Sequence, residues 1–320
     1  MKDQFGRHIT NLRISITDRC NLRCFYCMPD HQPIHFKPRE EILSFEEILK
    51  IARIMTNLGF RYFRITGGEP LVRKGCLNFL EKLHKIPNVE KVSLTTNALL
   101  LKPNLPQLKN IGIQQLNISL DTLQPKRFHQ FTLANAWQKV WDAIQLALEM
   151  NFFVKLNVVV VQGKNDDELP AFAKLTQKQN LYVRFIEYMP LGNFHENPQV
   201  LPIQKMKQIL HSNQLPLTPA EEHTPGKGPA TYYKIPNAKG KIGFISPVSD
   251  KFCARCNRMR LTADGKLKAC LLLEQYFDLK PLLRQNKSEI EIQEAIYQNV
   301  FHKPFKHEGY RKFTMNTTGG

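Results

Sequence analysis

The chain has 320 residues, 42% hydrophobic and 23% charged, which allows a substantial buried core and excludes a disordered chain. Its formal charge of +17 calls for a polyanionic partner, nucleic acid or phosphorylated small molecule, although the basic residues are spread along the chain and not gathered in an arm. No run of about eighteen apolar residues occurs and residues 1–8 lack the apolar centre of an export signal, so a soluble cytoplasmic protein with reduced thiols and no membrane attachment is expected.

From residue 11 short apolar runs alternate with longer amphipathic ones. Residues 12–17 read as a strand that delivers the chain into Cys20-Asn21-Leu22-Arg23-Cys24-Phe25-Tyr26-Cys27. Ser44 reads as a helix N-cap, with Glu46 and Glu47 in the first turn and Ile48, Ile51, Ala52 and Met55 at helical spacing up to Gly59. Further strands are expected at 62–66, 89–97, 115–119, 153–161 and 181–188, with helices through Cys76 and Leu80, at 134–150 and at 166–179. Six βα units predict an α/β fold, a parallel sheet forming a partial (βα)6 barrel with its active face at the carboxyl ends of the strands. The rhythm breaks after Pro190. Residues 191–243, rich in proline with a helix near 203–213, read as a wrap-around segment adding no barrel units. Residues 244–320 form a C-terminal extension with a second cysteine group and a last helix near 288–300.

Three cysteines spaced by three and two residues can aim three thiolates at one centre, leaving a cubic iron–sulfur cluster one iron open to a small molecule. Zinc completed by His31 or His35, or cysteines without metal, are the alternatives. Cys253-Ala254-Arg255-Cys256 with Cys270 repeats the pattern, the alternative being a zinc knuckle completed by His302 or His307. Cys76 reads as a small buried hydrophobe. Gly67-Gly68-Glu69-Pro70 follows a strand, so its glycines suit close approach of a ligand and Glu69 suits an amine; a plain tight turn is the alternative. Arg13, Arg64, Lys155, Arg258 and Arg260 lie at strand ends, in apolar strands or beside cysteines. Converging on one cavity, they would neutralise a triphosphate.

With both cysteine groups, Gly67 to Pro70 and the diglycine end read together, the chain resembles the GTP 3′,8-cyclase family of radical S-adenosylmethionine enzymes, which act in molybdenum cofactor biosynthesis. The resemblance runs from Arg13 to Gly320. It implies a [4Fe–4S] cluster on Cys20, Cys24 and Cys27 whose open iron chelates S-adenosylmethionine, with Tyr26, Gly68, Glu69, Ser119 and Met189 contacting that cofactor. It implies a second [4Fe–4S] cluster on Cys253, Cys256 and Cys270 facing guanine, and nucleotide contacts from Arg13, Arg64, Thr95, Lys155, Arg258, Met259 and Arg260. Arg258, Arg260 and the tail glycines Gly319 and Gly320 are implied as catalytic.

The implied reaction is reductive cleavage of S-adenosylmethionine to a 5′-deoxyadenosyl radical that removes the ribose C3′ hydrogen of GTP. The C3′ radical then attacks guanine C8, giving (8S)-3′,8-cyclo-7,8-dihydroguanosine 5′-triphosphate. Implied partners are a reductant such as flavodoxin or ferredoxin, a downstream cyclic pyranopterin monophosphate synthase and a second copy in a homodimer, with no nucleic acid. Three positions depart from the family pattern: Tyr62 where a Lys is usual, Ala98 where Gly is usual, and polar Asn316-Thr317-Thr318 before the last glycines. The competing readings are a radical enzyme acting on peptide or RNA, and a metal-stapled nucleic-acid binder with aromatics interleaved among exposed basic residues.

Overall fold

The computed structural model describes residues 1–28, 35–190, 199–220 and 228–306. His31, His307, Gly319 and Gly320 therefore lie outside the described residues. Strands β1 (Asn11–Ser15), β2 (Tyr62–Thr66), β3 (Lys91–Thr96), β4 (Gln115–Ser119), β5 (Phe153–Val160) and β6 (Tyr182–Glu187) pair in sequence order, every pair parallel. The crossovers carry α1 (Phe45–Asn57), α2 (Cys76–His84), α3 (Leu105–Ile111), α4 (Pro125–Thr132), α5 (Trp137–Glu149) and α6 (Leu169–Lys178). This is the expected (βα)6 arrangement.

Local chemistry explains the elements. The Ser44 hydroxyl accepts the Glu47 N–H at 3.1 Å while the Glu47 carboxylate accepts the Ser44 N–H at 2.6 Å, a reciprocal cap that starts α1. Ile48, Ile51, Ala52 and Met55 then fall on the buried face of α1. In β1 the two-residue alternation sends Leu12 and Ile14 into the core and leaves Arg13 on the inner face of the barrel. Cys76 is buried in the core at the start of α2, as expected of a small hydrophobe, and burial pushes its thiol up to about 12.

The chain after Pro190 does more than wrap around. It forms α7 (Ile203–Ser212), β7 (Thr218–Ala220), β8 (Thr231–Lys234), β9 (Lys241–Ile245), β10 (Arg258–Leu261), β11 (Lys266–Lys268), β12 (Phe277–Asp278), α8 (Lys280–Arg284) and α9 (Glu289–Phe301). β9 pairs parallel with β6 and β10 pairs parallel with β1, so this half of the chain extends both edges of the six-stranded sheet. β8 and β7 continue antiparallel beyond β9, and β11 and β12 beyond β10, giving a twelve-stranded sheet among the described residues. The prolines that argued against strands sit where strands tolerate them: Pro229 and Pro236 flank β8, and Pro219 lies in the outermost strand. The division expected at 243/244 falls inside β9.

At the end of β6 the buried Glu187 accepts the N–H of Ile203 (3.0 Å), which opens α7, and those of Val248 (3.0 Å) and Ser249 (2.9 Å), as well as the Ser249 hydroxyl. One carboxylate thus fastens the segment that leads to the second cysteine group. Glu187→Ala strips the acceptor from three main-chain donors, and urea unfolding of the unloaded chain should show a loss of at least about 2 kcal/mol. A midpoint unchanged from the parent would contradict this role.

Candidate active site

One cavity of about 300 Å³ occupies the interior of the barrel, and Cys20, Cys24, Cys27, Cys253, Cys256 and Cys270 all line it. The two cysteine groups reach it from opposite directions. Cys20 lies beyond the carboxyl end of β1, whereas Cys256 precedes the amino end of β10, which runs parallel to β1. β11 is antiparallel to β10, so Cys270, beyond its carboxyl end, returns to the side of Cys256. Only the first group therefore sits at the carboxyl face expected for the active site, and the cavity runs between the two ends of the sheet. Residues 246–257 span the opening between β9 and β10. They are held near their start by Glu187 at Val248 and Ser249, and at their end by Asn257, whose carbonyl accepts the Thr10 and Asn11 N–H groups at 3.1 Å. Pro247, Lys251 and Phe252 line the cavity along that path.

The first cysteine loop is held by backbone. Gly68 N–H donates to Thr17 O at 2.7 Å and Glu69 N–H to Arg19 O at 2.8 Å. A Cβ on Gly67 would lie 2.6 Å from Thr17 O, and one on Gly68 would collide with the Arg19 carbonyl. The two glycines are thus required by the chain segment entering the cysteine loop, and both also line the cavity. On the far side Arg23 and Phe25 donate their N–H groups to Thr132 and Phe131 at the end of α4.

Glu69 is buried and accepts Thr96 Oγ1 at 2.8 Å, the Asn97 N–H at 2.7 Å and the Leu71 N–H at 3.1 Å. Burial outweighs these bonds and lifts its carboxyl to about 7. Tyr26 donates to Asp121 Oδ2 at 2.7 Å and Val159 N–H donates to Oδ1 at 2.8 Å; burial still raises Asp121 to about 6. Burial likewise raises Cys24, reinforced by Asp121 and its two neighbouring cysteines. Asn97 Nδ2 reaches Cys20 Sγ at 3.7 Å. Ser119 and Met189 also line the cavity, and Asn157 between Ser119 and Arg184 presents a shielded Oδ1 that has no hydrogen-bond partner among the described residues.

Five arginines share the wall. Arg260, Arg13 and Arg64 stand side by side in register on β10, β1 and β2. Arg258 and Arg184 complete the group, Arg184 donating to Asn117 Oδ1 at 2.7 Å while its Nε has no hydrogen-bond partner among the described residues. Burial followed by Arg260, Arg64, Arg258 and Arg184 pushes Arg13 well below the usual guanidinium range, and burial with Arg258 brings Arg260 down to about 10. Such crowding of like charge makes the cavity an anion site.

At the second group, burial opposes ionisation of Cys256, yet the Arg258 guanidinium, the Lys303 ammonium and hydrogen bonds from Arg258 bring it down to about 6. Arg258 Nη2 lies 3.8 Å from its sulfur. A thiol so disposed is a thiolate near neutrality, the form that ligates metal. Among the described residues no three His, Cys, Asp or Glu side chains are grouped as a single-ion site. A four-iron cluster spreads its thiolates more widely, and each all-sulfur trio on this cavity has the donor set such a cluster uses.

The structure brings Arg13, Arg64, Thr95, Arg258 and Arg260 into the cavity wall and leaves two other expected nucleotide contacts out of it. Met259 alternates to the opposite face and is fully buried in the core, paired in register with Leu12. Lys155 is not among the lining residues; its ammonium lies over the rings of Phe153, Tyr182 and Tyr232 at 5.0–5.7 Å. Tyr62 donates to Glu90 at 2.6 Å, away from the cavity, and Ala98 occupies a left-handed conformation (φ +64°), which explains why glycine suits that position. Arg184 and Asn157 were missed. Both are polar side chains inside apolar strands, the criterion that singled out Arg64.

The parallel sheet and the cysteine loop at the end of its first strand define a radical S-adenosylmethionine protein: residues 14–176 match the Radical SAM superfamily, and residues 181–309 match Molybdenum Cofactor Synthesis C. Proteins named GTP 3′,8-cyclase from Desulforamulus reducens and Thermodesulfovibrio yellowstonii are 44% and 42% identical, each over the whole of both chains. The chain belongs to the GTP 3′,8-cyclase family. Two solved structures share the fold at low identity. anSMEcpe with bound AdoMet is 15% identical with a TM-score of 0.58, covering 94% of this chain and 82% of its own. Streptococcus suis SuiB bound to S-adenosylmethionine is 16% identical with a TM-score of 0.58, covering 88% and 66%.

Arg184→Met removes one cation from the wall and should weaken GTP binding by about ten- to a hundredfold, with less effect on guanosine. Equilibrium binding to both ligands checks this; equal losses for the two would show that Arg184 does not meet phosphate.

Proposed function

We propose that the chain is a GTP 3′,8-cyclase that binds S-adenosylmethionine at the first cysteine group and GTP between the two groups. The observation that carries the reading is that two all-cysteine trios and five arginines line one cavity. When bound, a [4Fe–4S] cluster with S-adenosylmethionine supplies a carbon radical able to take the ribose C3′ hydrogen of GTP, after which C3′ bonds to guanine C8. Cys20, Cys24 and Cys27 would hold that cluster, and Cys253, Cys256 and Cys270 a second one facing the base.

The protein's own contribution is position, charge and exclusion of water. Glu69, fixed by three hydrogen bonds, offers its carboxylate to the cofactor's amine. Asn157 Oδ1 is placed to accept from a ligand hydroxyl or amine between Ser119 and Arg184. Arg13, Arg64, Arg184, Arg258 and Arg260 take the triphosphate, whose negative charge relieves the repulsion among them. Tyr26, locked onto Asp121, keeps the cysteine loop against β4 and β5. A flavodoxin or ferredoxin suits the role of electron donor, and a cyclic pyranopterin monophosphate synthase that of consumer of the product.

Anaerobic reconstitution with iron and sulfide should give about eight irons per chain, and reduced protein with GTP and S-adenosylmethionine should give the cyclised nucleotide and 5′-deoxyadenosine. Cys270→Ala should still cleave the cofactor and lose cyclisation. Full product from Cys270→Ala would remove the second trio from the mechanism.

The Glu69 carboxyl also sets a pH dependence. It is charged only above about 7 in the ligand-free chain, so affinity for S-adenosylmethionine should rise as pH passes upward through that value. Its folded value exceeds its ordinary value of 4.5, so the ligand-free fold loses stability as pH rises between the two, the reverse of a salt-bridged carboxylate. Binding titrations on Glu69→Gln should show a flat pH profile; a profile like the parent's would assign the titration to another group.

A further inference from the structure

Behind the second cysteine group, outside the cavity wall, two buried cations tie three distant stretches of chain together. Arg7 is gripped by Asp3, with Nε 2.6 Å from Oδ2 and the Arg7 N–H 2.9 Å from Oδ1, both side chains being buried. Its guanidinium donates to four main-chain carbonyls, those of Cys253 (2.9 Å), Lys303 (3.2 Å), Pro304 (2.8 Å) and Phe305 (3.0 Å). The rings of Phe5 and Phe305 lie 5.5 and 5.9 Å from its charged carbon. Lys303, only 2% exposed, donates its ammonium to the carbonyl of Ala269, the residue before Cys270. Its charge is felt by both Cys256 and Cys270.

Burying two cations is costly, and plain packing of a terminal helix would need neither. Beyond the Asp3 carboxylate and the Phe5 ring that hold Arg7, the side-chain hydrogen bonds of the two cations fall on the second cysteine group or on residues 303–305. Arg7 holds the backbone of Cys253, Lys303 holds that of Ala269, and Arg7 in turn holds Lys303. A cluster on three thiolates would carry net negative charge, which the Lys303 ammonium, together with Arg258, would offset.

We propose that Arg7 and Lys303 form a buried cationic clamp that positions Cys253 and Cys270 and fixes the chain at 303–305 to them. They are positioning residues, since neither lines the cavity. The electronic part of the proposal rests on the reading of the second trio as a cluster site; the mechanical part does not. Arg7→Lys keeps the charge and loses the fork that reaches four carbonyls, and Lys303→Met keeps length and loses the charge.

Hydrogen exchange on the unloaded full-length chain tests the mechanics. Arg7→Lys should speed exchange roughly tenfold in peptides covering 252–257 and 301–306 and leave 20–28 unchanged. Unchanged exchange there, or equal loosening at 20–28, would overturn the clamp. In the reconstituted chain Lys303→Met should make the second cluster's reduction potential more negative while the first cluster's potential and cofactor cleavage stay at parent values. A second-cluster potential equal to the parent's would overturn the electronic role. Parent protein that binds iron for one cluster only would instead overturn the cluster reading, with the exchange comparison still deciding the clamp.

Discussion

The rest of the structure depends on a row of like charges that cannot be comfortable alone. Register places Arg260, Arg13 and Arg64 on three adjacent strands with their side chains on the inner face, and Arg184 and Arg258 join them. In a partly desolvated cavity such a row favours a multiply charged anion. Burial first, and then its four neighbours, push Arg13 below the usual guanidinium range. The same row explains why the sheet must be extended by β10: without that strand two of the arginines and the second cysteine group would have no place on the wall.

Topology then sets the direction of the cavity. Parallel pairing of β1 with β10 puts a cysteine group that follows one strand and a cysteine group that precedes the other at opposite ends of a shared wall. A ligand lying along the wall would meet sulfur at each end and guanidinium between. Glu187 at the carboxyl end and the Asn257 carbonyl at the amino end anchor the crossing segment that carries Cys253 and Cys256. The chemistry of the two ends differs accordingly. Burial and acidic neighbours raise Cys24, whereas Arg258 and Lys303 overcome burial to lower Cys256.

Much of this was legible before the structure. The N-cap at Ser44, the strand-by-strand alternation as far as Tyr188 and both cysteine spacings depend on local patterns of a few residues, and all appear where the patterns put them. What escaped depends on pairing between distant segments. Nothing local in residues 241–245 or 258–261 says that they close onto β6 and β1, and proline density nearby argues the other way. Met259, expected as a nucleotide contact beside Arg258 and Arg260, has its side chain on the opposite face of β10, where the period of two turns it. Lys155 was recognised as a cation in an apolar strand, but only the fold shows that three aromatic rings receive it. Gly67 and Gly68 meet the expectation of close approach, and the fold adds a partner in segment 17–19 that local reading does not see.

The central claim is that one nucleotide lies between the two cysteine groups against the arginine wall. An anaerobic crystal structure of the reconstituted chain with GTP and S-adenosylmethionine tests it most directly. The account predicts the triphosphate on Arg13, Arg64, Arg184, Arg258 and Arg260, the cofactor at Cys20, Cys24 and Cys27, and the guanine toward Cys253, Cys256 and Cys270. A nucleotide bound outside this cavity, or either cysteine trio completed by a fourth side chain of the protein, would contradict it.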